Sequence, residues 1–240
     1  MMAAAEADAQ DADARAHACP LCGTPAPHFL VVSGQDYFAC DCCQLRFLHP
    51  RQRIALAAEH AHYRHHQNEV DDPGYRRFLS RLADPLLARL APASEGLDFG
   101  CGPGPALAAM LRAAGHRVAV HDPLFAPDPA VLRRCHDFVT CTEVVEHFRH
   151  PSREFARLRR LVRPGGWLAI MTSFQTDDSR FAGWHYRRDP THIAFYREAT
   201  FRYLAARWGW RCEIPARNVA LLQRPASDSE AERNGCRSAG

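Results

Sequence analysis

Five of the ten cysteines in this 240-residue chain fall between positions 19 and 43: Cys19, Cys22, Cys40, Cys42 and Cys43. Cys19-Pro-Leu-Cys22 and Cys40-Asp-Cys-Cys43 each make a C-x2-C knuckle, and seventeen residues separate them. Two residues between thiolates let one tight turn aim both sulfurs at a single ion. Two knuckles close a tetrahedral Zn2+ site, with a β-hairpin as the spacer. Gly23 stands where the first turn exits, a place that suits positive φ. Four thiolates leave no open coordination position, so the ion expected on Cys19, Cys22, Cys40 and Cys43 is structural. Cys42 competes with Cys43 for the fourth place, but a single intervening residue bends less well. Cys22→Ser is expected to unfold this lobe and leave the rest of the chain melting cooperatively. His60, His62, His65 and His66 form a second cluster, with His62 and His66 one helical turn apart. No carboxylate or cysteine completes a ligand set there, and an exposed helix face is the expectation.

A glycine-rich stretch offers different chemistry. Leu97-Asp98-Phe99 reads as an apolar strand carrying an acid, and Gly100-Cys101-Gly102-Pro103-Gly104 follows it into a helix. Such glycines let backbone press against a ligand, and a helix start offers unpaired N–H groups to an anion. The dinucleotide fingerprint needs Gly or Ala at its third position, where this chain has Pro105, so a pyrophosphate-binding loop is disfavoured. A third stretch, Trp184 to Tyr196, is dense in aromatic, His and charged residues. His192 is its candidate general base, with Asp189 near enough to orient the ring; a pinned lid in which His192 only packs is the competing reading.

The elements that must hold these groups follow from periodicity. Residues 51–90 read as two helices broken at Pro73-Gly74, with Leu79, Leu82, Leu86, Leu87 and Leu90 as an apolar stripe. From Gly96 onward short apolar strands alternate with amphipathic helices, the pattern of an open, mostly parallel sheet. Strands are predicted near 96–99, 118–121, 137–142, 166–172, 210–214 and 218–223, and helices near 105–114, 152–162 and 197–208. Ser152 is the expected N-cap of the second helix. Its Arg153, Arg157 and Arg160 point outward, as a solvated face or a phosphate contact. The chain divides into a tail at 1–16, a zinc-ribbon-like module at 17–50 and a helical connector at 51–94. A ligand-binding α/β domain follows at 95–224, then a tail at 225–240. Both tails are small and polar, and disorder is expected there.

Beyond the loop the sequence resembles the class I S-adenosylmethionine-dependent methyltransferases, in their ubiquinone-biosynthesis-like branch. Val118-Ala-Val-His-Asp122 resembles the second strand and its ribose-holding acid. Asp137-Phe-Val-Thr-Cys-Thr142-Glu143-Val-Val-Glu146-His147 is similar to the fourth-strand segment. Leu161-Val-Arg-Pro-Gly165-Gly166 is similar to the turn into the fifth strand. The resemblance implies a Rossmann-like α/β sheet with helices on both faces and S-adenosylmethionine as cofactor. Its implied contacts are Asp98, Gly100, Cys101, Gly102, Gly104, Asp122, Thr142, Glu143 and His147. Only fourteen residues separate Asp122 from Asp137, and they are too proline-rich for the family's usual helix and third strand. The acid that reads the adenine amino group therefore has no clear equivalent beyond Asp128 and Asp137. The Asn-Pro-Pro-Tyr type motif of base amino-methylating enzymes is absent.

Composition sets outer limits. All 30 basic residues are Arg, against 27 acids, which removes lysine Schiff-base and Walker-type chemistry. A net charge of +3 does not call for nucleic acid. No apolar run approaches the ~18 to 20 residues of a membrane span, and the acidic start lacks a signal-peptide core, so a cytoplasmic protein is expected. The expectation is a methyltransferase acting on a small-molecule acceptor, with a structural zinc and no membrane partner. An RNA or protein methyltransferase using the ribbon for recognition is the alternative, and a non-catalytic binding protein a third. Residues 17–50 carry Arg46 as their one clear base, which counts against RNA.

Overall fold

The computed structural model describes residues 16–64 and 69–226. All but Ala16, Pro225 and Ala226 of the two expected tails, together with His65 and His66, lie outside the described residues. Among the described residues no helix is long and apolar enough to cross a membrane.

The cysteine-rich region opens with β1 (His17–Ala18) and β2 (Pro25–Ala26), paired around the first knuckle. Next come β3 (His28–Val32), β4 (Gln35–Ala39) and β5 (Arg46–Leu48), an antiparallel meander whose hairpin is the spacer between knuckles. Two helices follow, α1 (Leu56–Tyr63) and α2 (Pro73–Leu87). Pro73-Gly74 does not form the break but opens the second helix. Asp72 is the N-cap, accepting from the Tyr75 N–H, and Pro73 opens the helix, where its missing N–H costs nothing.

The remaining chain alternates as the periodicity predicts: β6 (Glu95–Phe99), α3 (Ala106–Ala113), β7 (Arg117–His121), β8 (His136–Thr142), α4 (Pro151–Leu161) and β9 (Val162–Met171). Then come β10 (Ala194–Phe195), α5 (Glu198–Trp208), β11 (Arg211–Ala216) and β12 (Val219–Gln223). The large sheet runs β11-β12-β9-β8-β6-β7. β7, β6, β8 and β9 are parallel, while β12 pairs antiparallel with both β9 and β11. This is the expected Rossmann-like α/β sheet. Between β7 and β8 there is no further strand, only a bridge from Asp122 to Ala126 and a short 3-10 turn at Val131–Arg133. Pro123, Pro127 and Pro129 remove the N–H groups a strand or helix there would need. Ser152 is not the cap of α4; His150 precedes Pro151 at the helix start, and the Ser152 N–H donates to the Pro20 carbonyl.

Each sheet face carries its own core. Leu79, Leu82 and Leu86 of α2 pack with Leu107 and Leu111 of α3 on one side. Phe155, Leu158 and Leu161 of α4 and Phe201 and Leu204 of α5 cover the other, joined there by Cys19, Leu21, Cys43 and Phe47. Burial of each such side chain contributes roughly 1.5–3 kcal/mol. The cysteine lobe therefore shares a core with the large sheet. It shares a sheet as well: β10 pairs with β5, giving a four-stranded order β10-β5-β4-β3. Separate melting of the lobe is not what this packing leads one to expect.

Candidate active site

A cavity of about 690 Å3 opens where β6, β7 and β8 end, roofed by α1 and the start of α2. Gly100, Cys101, Gly102, Asp122, Thr142, Glu143, His147 and His192 line it. Eight of the residues named from sequence therefore converge on one space, although they come from five segments.

The loop after β6 explains part of this. Gly100 has φ +75°, and a Cβ there would sit 2.4 Å from Val144 Cγ2, so only glycine fits. Gly102, at φ +64°, has nothing within 4 Å of where a Cβ would point. Asp122 fixes this loop: Oδ2 accepts from the Gly102 N–H at 3.1 Å, and Oδ1 from Leu124 and Phe125 at 2.8 and 3.1 Å. Asp98 does not reach the cavity. It lies buried beneath, accepting from Thr140 Oγ1 at 2.7 Å, and burial raises its carboxyl to about 6. Gly104 is likewise outside the lining. The buried Thr142 hydroxyl has no protein partner although its residue faces the cavity, so a polar ligand would satisfy it. An acid for adenine is not found among the two candidates. Asp137 sits at the opposite end of β8, paired with Arg163 at 2.8 Å, and Asp128 caps the Ala130 N–H. Leu124 and Phe125 line that part of the wall instead.

Deeper, acids and histidines form one network. Glu143, just after β8, has φ +51°, an unfavourable conformation for a residue with a Cβ, and strain of this kind clusters at functional sites. The Tyr186 hydroxyl bridges Glu146 Oε1 at 2.5 Å and Glu143 Oε2 at 3.1 Å, and Thr172 donates to Glu146 Oε2 at 2.9 Å. Burial, then the adjacent Glu146 carboxylate, pushes Glu143 up to about 9; burial raises Glu146 too. Two backbone carbonyls set the histidine tautomers. His192 Nδ1 donates to the Tyr186 carbonyl at 2.7 Å, and His147 Nδ1 to the Thr191 carbonyl at 3.0 Å. A carbonyl only accepts, so Nδ1 carries the proton in each ring and Nε2 is the basic nitrogen. Burial lowers the pKa of His192, which keeps the ring neutral at pH 7. Its Nε2 lies 3.9 Å from Asp189 Oδ2. Asp189 therefore neighbours Nε2, and the Tyr186 carbonyl orients the ring. Burial would raise Asp189, but hydrogen bonds from Thr191 and the nearby His192 and His62 hold it down to about 2. Glu146, His147 and His192 each bring a ligand atom within 4.8 Å of the others, a set that could hold a divalent cation.

The segment 184–196 is only partly a lid. Trp184 packs with Phe181 and Phe195 against Tyr37 and Phe29 of the cysteine lobe, while Asp189 and His192 alone reach the cavity. The expected exposed histidine face is partly wrong. His62 lies 3.4 Å from Asp189 and His60 lines the cavity. Sequence reasoning also missed Leu56, Tyr63 and Tyr75, which form the roof, because residues 51–94 read as a connector. Aromatic residues flanking its Pro-Gly break were the available signal. At the rim, Arg149 is paired with Glu59 at 2.7 Å and Arg157 with Glu154 at 2.9 Å.

Apart from this cavity, the four knuckle sulfurs lie within 4.8 Å of one another, with Cys19–Cys43 at 3.5 Å and Cys22–Cys40 at 3.4 Å. Tetrahedral Zn–S bonds of ~2.3 Å place sulfurs about 3.8 Å apart, so the set fits the ion. Cys42 is exposed and outside the set, so Cys43 supplies the fourth sulfur. Arg46 is buried and holds Asp178 through two nitrogens at 3.1 and 2.9 Å.

Residues 63–213 match the methyltransferase-domain family. The fold is similar to several solved structures. An O-methyltransferase family protein from Burkholderia thailandensis is 17% identical with a TM-score of 0.46, covering 64% of this chain and 57% of that one. Magnesium protoporphyrin IX methyltransferase from Synechocystis PCC 6803, with bound S-adenosylhomocysteine, is 16% identical with a TM-score of 0.48, covering 71% and 94%. Human N-acetylserotonin methyltransferase in complex with S-adenosylmethionine is 15% identical with a TM-score of 0.46, covering 64% and 54%. The chain thus spans less than two thirds of the Burkholderia and human proteins. No curated protein sequence is significantly similar to it.

Proposed function

The chain belongs to the methyltransferase-domain family of enzymes, and from that premise we propose that it methylates a hydroxyl oxygen of a small molecule, using S-adenosylmethionine. The observation that carries this reading is His192: its Nδ1–H is tied to the Tyr186 carbonyl at 2.7 Å, leaving Nε2 as a base in the cavity that Gly100 and Gly102 line. The donor supplies a methyl group already activated on a sulfonium. Gly102 and the orphaned Thr142 hydroxyl would hold its polar end, and Asp122 its ribose, giving up a backbone N–H bond to do so. The roof of Leu56, Tyr63 and Tyr75 would exclude water and face an apolar acceptor. His192 Nε2 would take the proton of the acceptor hydroxyl as that oxygen gains the methyl group, which the sulfonium donor would supply, keeping the carbon–sulfur electron pair on its sulfur. The segment Glu143-Val-Val-Glu146-His147 supports a place in the ubiquinone-biosynthesis-like branch.

A cavity of discrete volume with paired rim arginines, together with a buried Arg46, supports a small acceptor over RNA or protein. Zn2+ on Cys19, Cys22, Cys40 and Cys43 completes the reading as a structural ion. A second mechanism has its own observation, the proximity of Glu146, His147 and His192. A divalent cation there would occupy the histidine nitrogens and polarise the acceptor oxygen as a Lewis acid. The test is methyl transfer from labelled donor in a cell extract, split into metabolite, RNA and protein fractions. Label in the metabolite fraction is expected; label confined to RNA or protein rejects the small acceptor. Turnover by protein stripped of all metal except zinc is expected to persist. Turnover restored only by added Mg2+ or Mn2+ favours the cation.

A further inference from the structure

On the far flank of α4 lies a second concavity, of about 520 Å3, between that helix, α5 and the end of β12. Arg159 and Arg160 enter it from the last turn of α4, Arg207 from the last turn of α5, and Arg224 from just beyond β12. Among the described residues no carboxylate lines it, and none of the four guanidiniums makes an ion pair. This stands out in a chain with 27 acids for 30 arginines, whose cavity-rim arginines are paired. Arg224 reaches the Val162 carbonyl at 2.9 Å and Arg207 the Tyr203 hydroxyl at 3.0 Å, contacts that orient the cations without neutralising them. Arg159 lies over the Trp208 ring at 6.0 Å. The two helix C-termini offset roughly one unit of charge together, which leaves most of four unbalanced among the described residues.

We propose that this groove is a binding site for a small ligand bearing clustered phosphates, such as a pyrophosphate or nucleoside diphosphate, separate from the methyl-transfer cavity. A planar carboxylate presents two oxygens to one guanidinium fork. A phosphate directs oxygens tetrahedrally and can engage arginines arriving from three different elements. The volume suits a discrete ligand. Arg157, which lines the active-site cavity, is tied to Glu154 at 2.9 Å and adds no free charge on that side; a polymer threaded from groove to cavity is disfavoured. Leu21, held between the two cysteines of the first knuckle, forms one wall, which gives the cysteine lobe a role in shaping the groove.

The test is calorimetric titration of the full chain, at low salt, with inorganic pyrophosphate, adenosine diphosphate, succinate and a ten-nucleotide single-stranded RNA. Arg160→Gln/Arg207→Gln is the variant; both residues are exposed and neither touches the cavity. Pyrophosphate and the diphosphate are expected to bind at least tenfold tighter than succinate. The double variant should lose at least tenfold, with S-adenosylhomocysteine affinity and melting temperature unchanged. Affinities equal in wild type and variant, or no pyrophosphate binding below millimolar concentration, overturn the proposal. RNA binding a hundredfold tighter than pyrophosphate overturns it in favour of a nucleic-acid surface.

Discussion

Phe47 of the cysteine lobe and Ala194, two residues after His192, face each other in one antiparallel ladder. The Leu48 N–H donates to the Ile193 carbonyl at 3.0 Å beside them. The cysteine lobe thus holds one side of the segment that carries the proposed base. A perturbation at the sulfurs has a short path, about one strand, to the chemistry.

The protein should carry one zinc per chain, and Cys22→Ser should act on the whole fold. Structural zinc contributes on the order of 10 kcal/mol or more to a small site. The variant is expected to show a single melting transition at lower temperature, and turnover that falls more than S-adenosylhomocysteine affinity. Two calorimetric transitions with the larger one unmoved would restore an independent lobe. Metal analysis without zinc in protein purified free of chelators would remove the ion.

Asp122→Ala should weaken S-adenosylmethionine binding by about 100-fold or more. Hydrogen bonds to a charged group are worth roughly 1.5–3 kcal/mol each, and ~1.4 kcal/mol is tenfold in affinity. Because Asp122 also accepts from Gly102, Leu124 and Phe125, the melting temperature should drop even without ligand. Calorimetry with unchanged affinity would reject the ribose role; unchanged melting alone would reject the loop role.

His192→Ala is expected to cost about 10²–10⁴ in turnover, the usual range for a general base, with cofactor affinity nearly intact. Burial lowers the His192 pKa, and the neutral ring is the active form. The wild-type rate should therefore climb through an apparent pKa below the ordinary ~6.5 and level off above it. Neutral burial also favours folding above that ordinary value, and this contribution declines as pH falls through the lowered pKa. Turnover that persists in the variant refutes the base. Turnover, binding and melting temperature falling together identify His192 as a structural pin.

Glu143→Gln tests the buried acid pair. Burial and Glu146 push Glu143 up to about 9, whereas the unfolded chain ionises near its ordinary value. Between those limits the folded state binds more protons, so wild-type stability falls as pH rises. The amide does not titrate. The variant's melting temperature relative to wild type should therefore rise steadily from pH 5 to pH 9. A flat difference across that range would mean that Glu143 is ionised in the fold.

Local signals in the sequence determined a good deal. The double C-x2-C identified its four sulfurs because two residues between ligands already dictate a turn. Alternating apolar runs located β6 to β9, β11 and β12 because strand and helix periods are properties of short windows. The prolines after Asp122 foretold the missing strand for the same reason, since a lost N–H is a local fact. Tertiary structure decided what depends on residues far apart in the chain. It brought the two knuckles together, so that four sulfurs distant in the chain lie within 4.8 Å of one another. It moved Asp98 under the floor and Asp137 to the wrong end of β8, because a strand's direction within the sheet sets which end of it meets the cavity. It turned the connector into a roof, joined the cysteine lobe to the segment bearing His192, and fixed that ring through the carbonyl of Tyr186. Burial from all sides, which no window of sequence contains, is what sets the charge of Glu143 and His192.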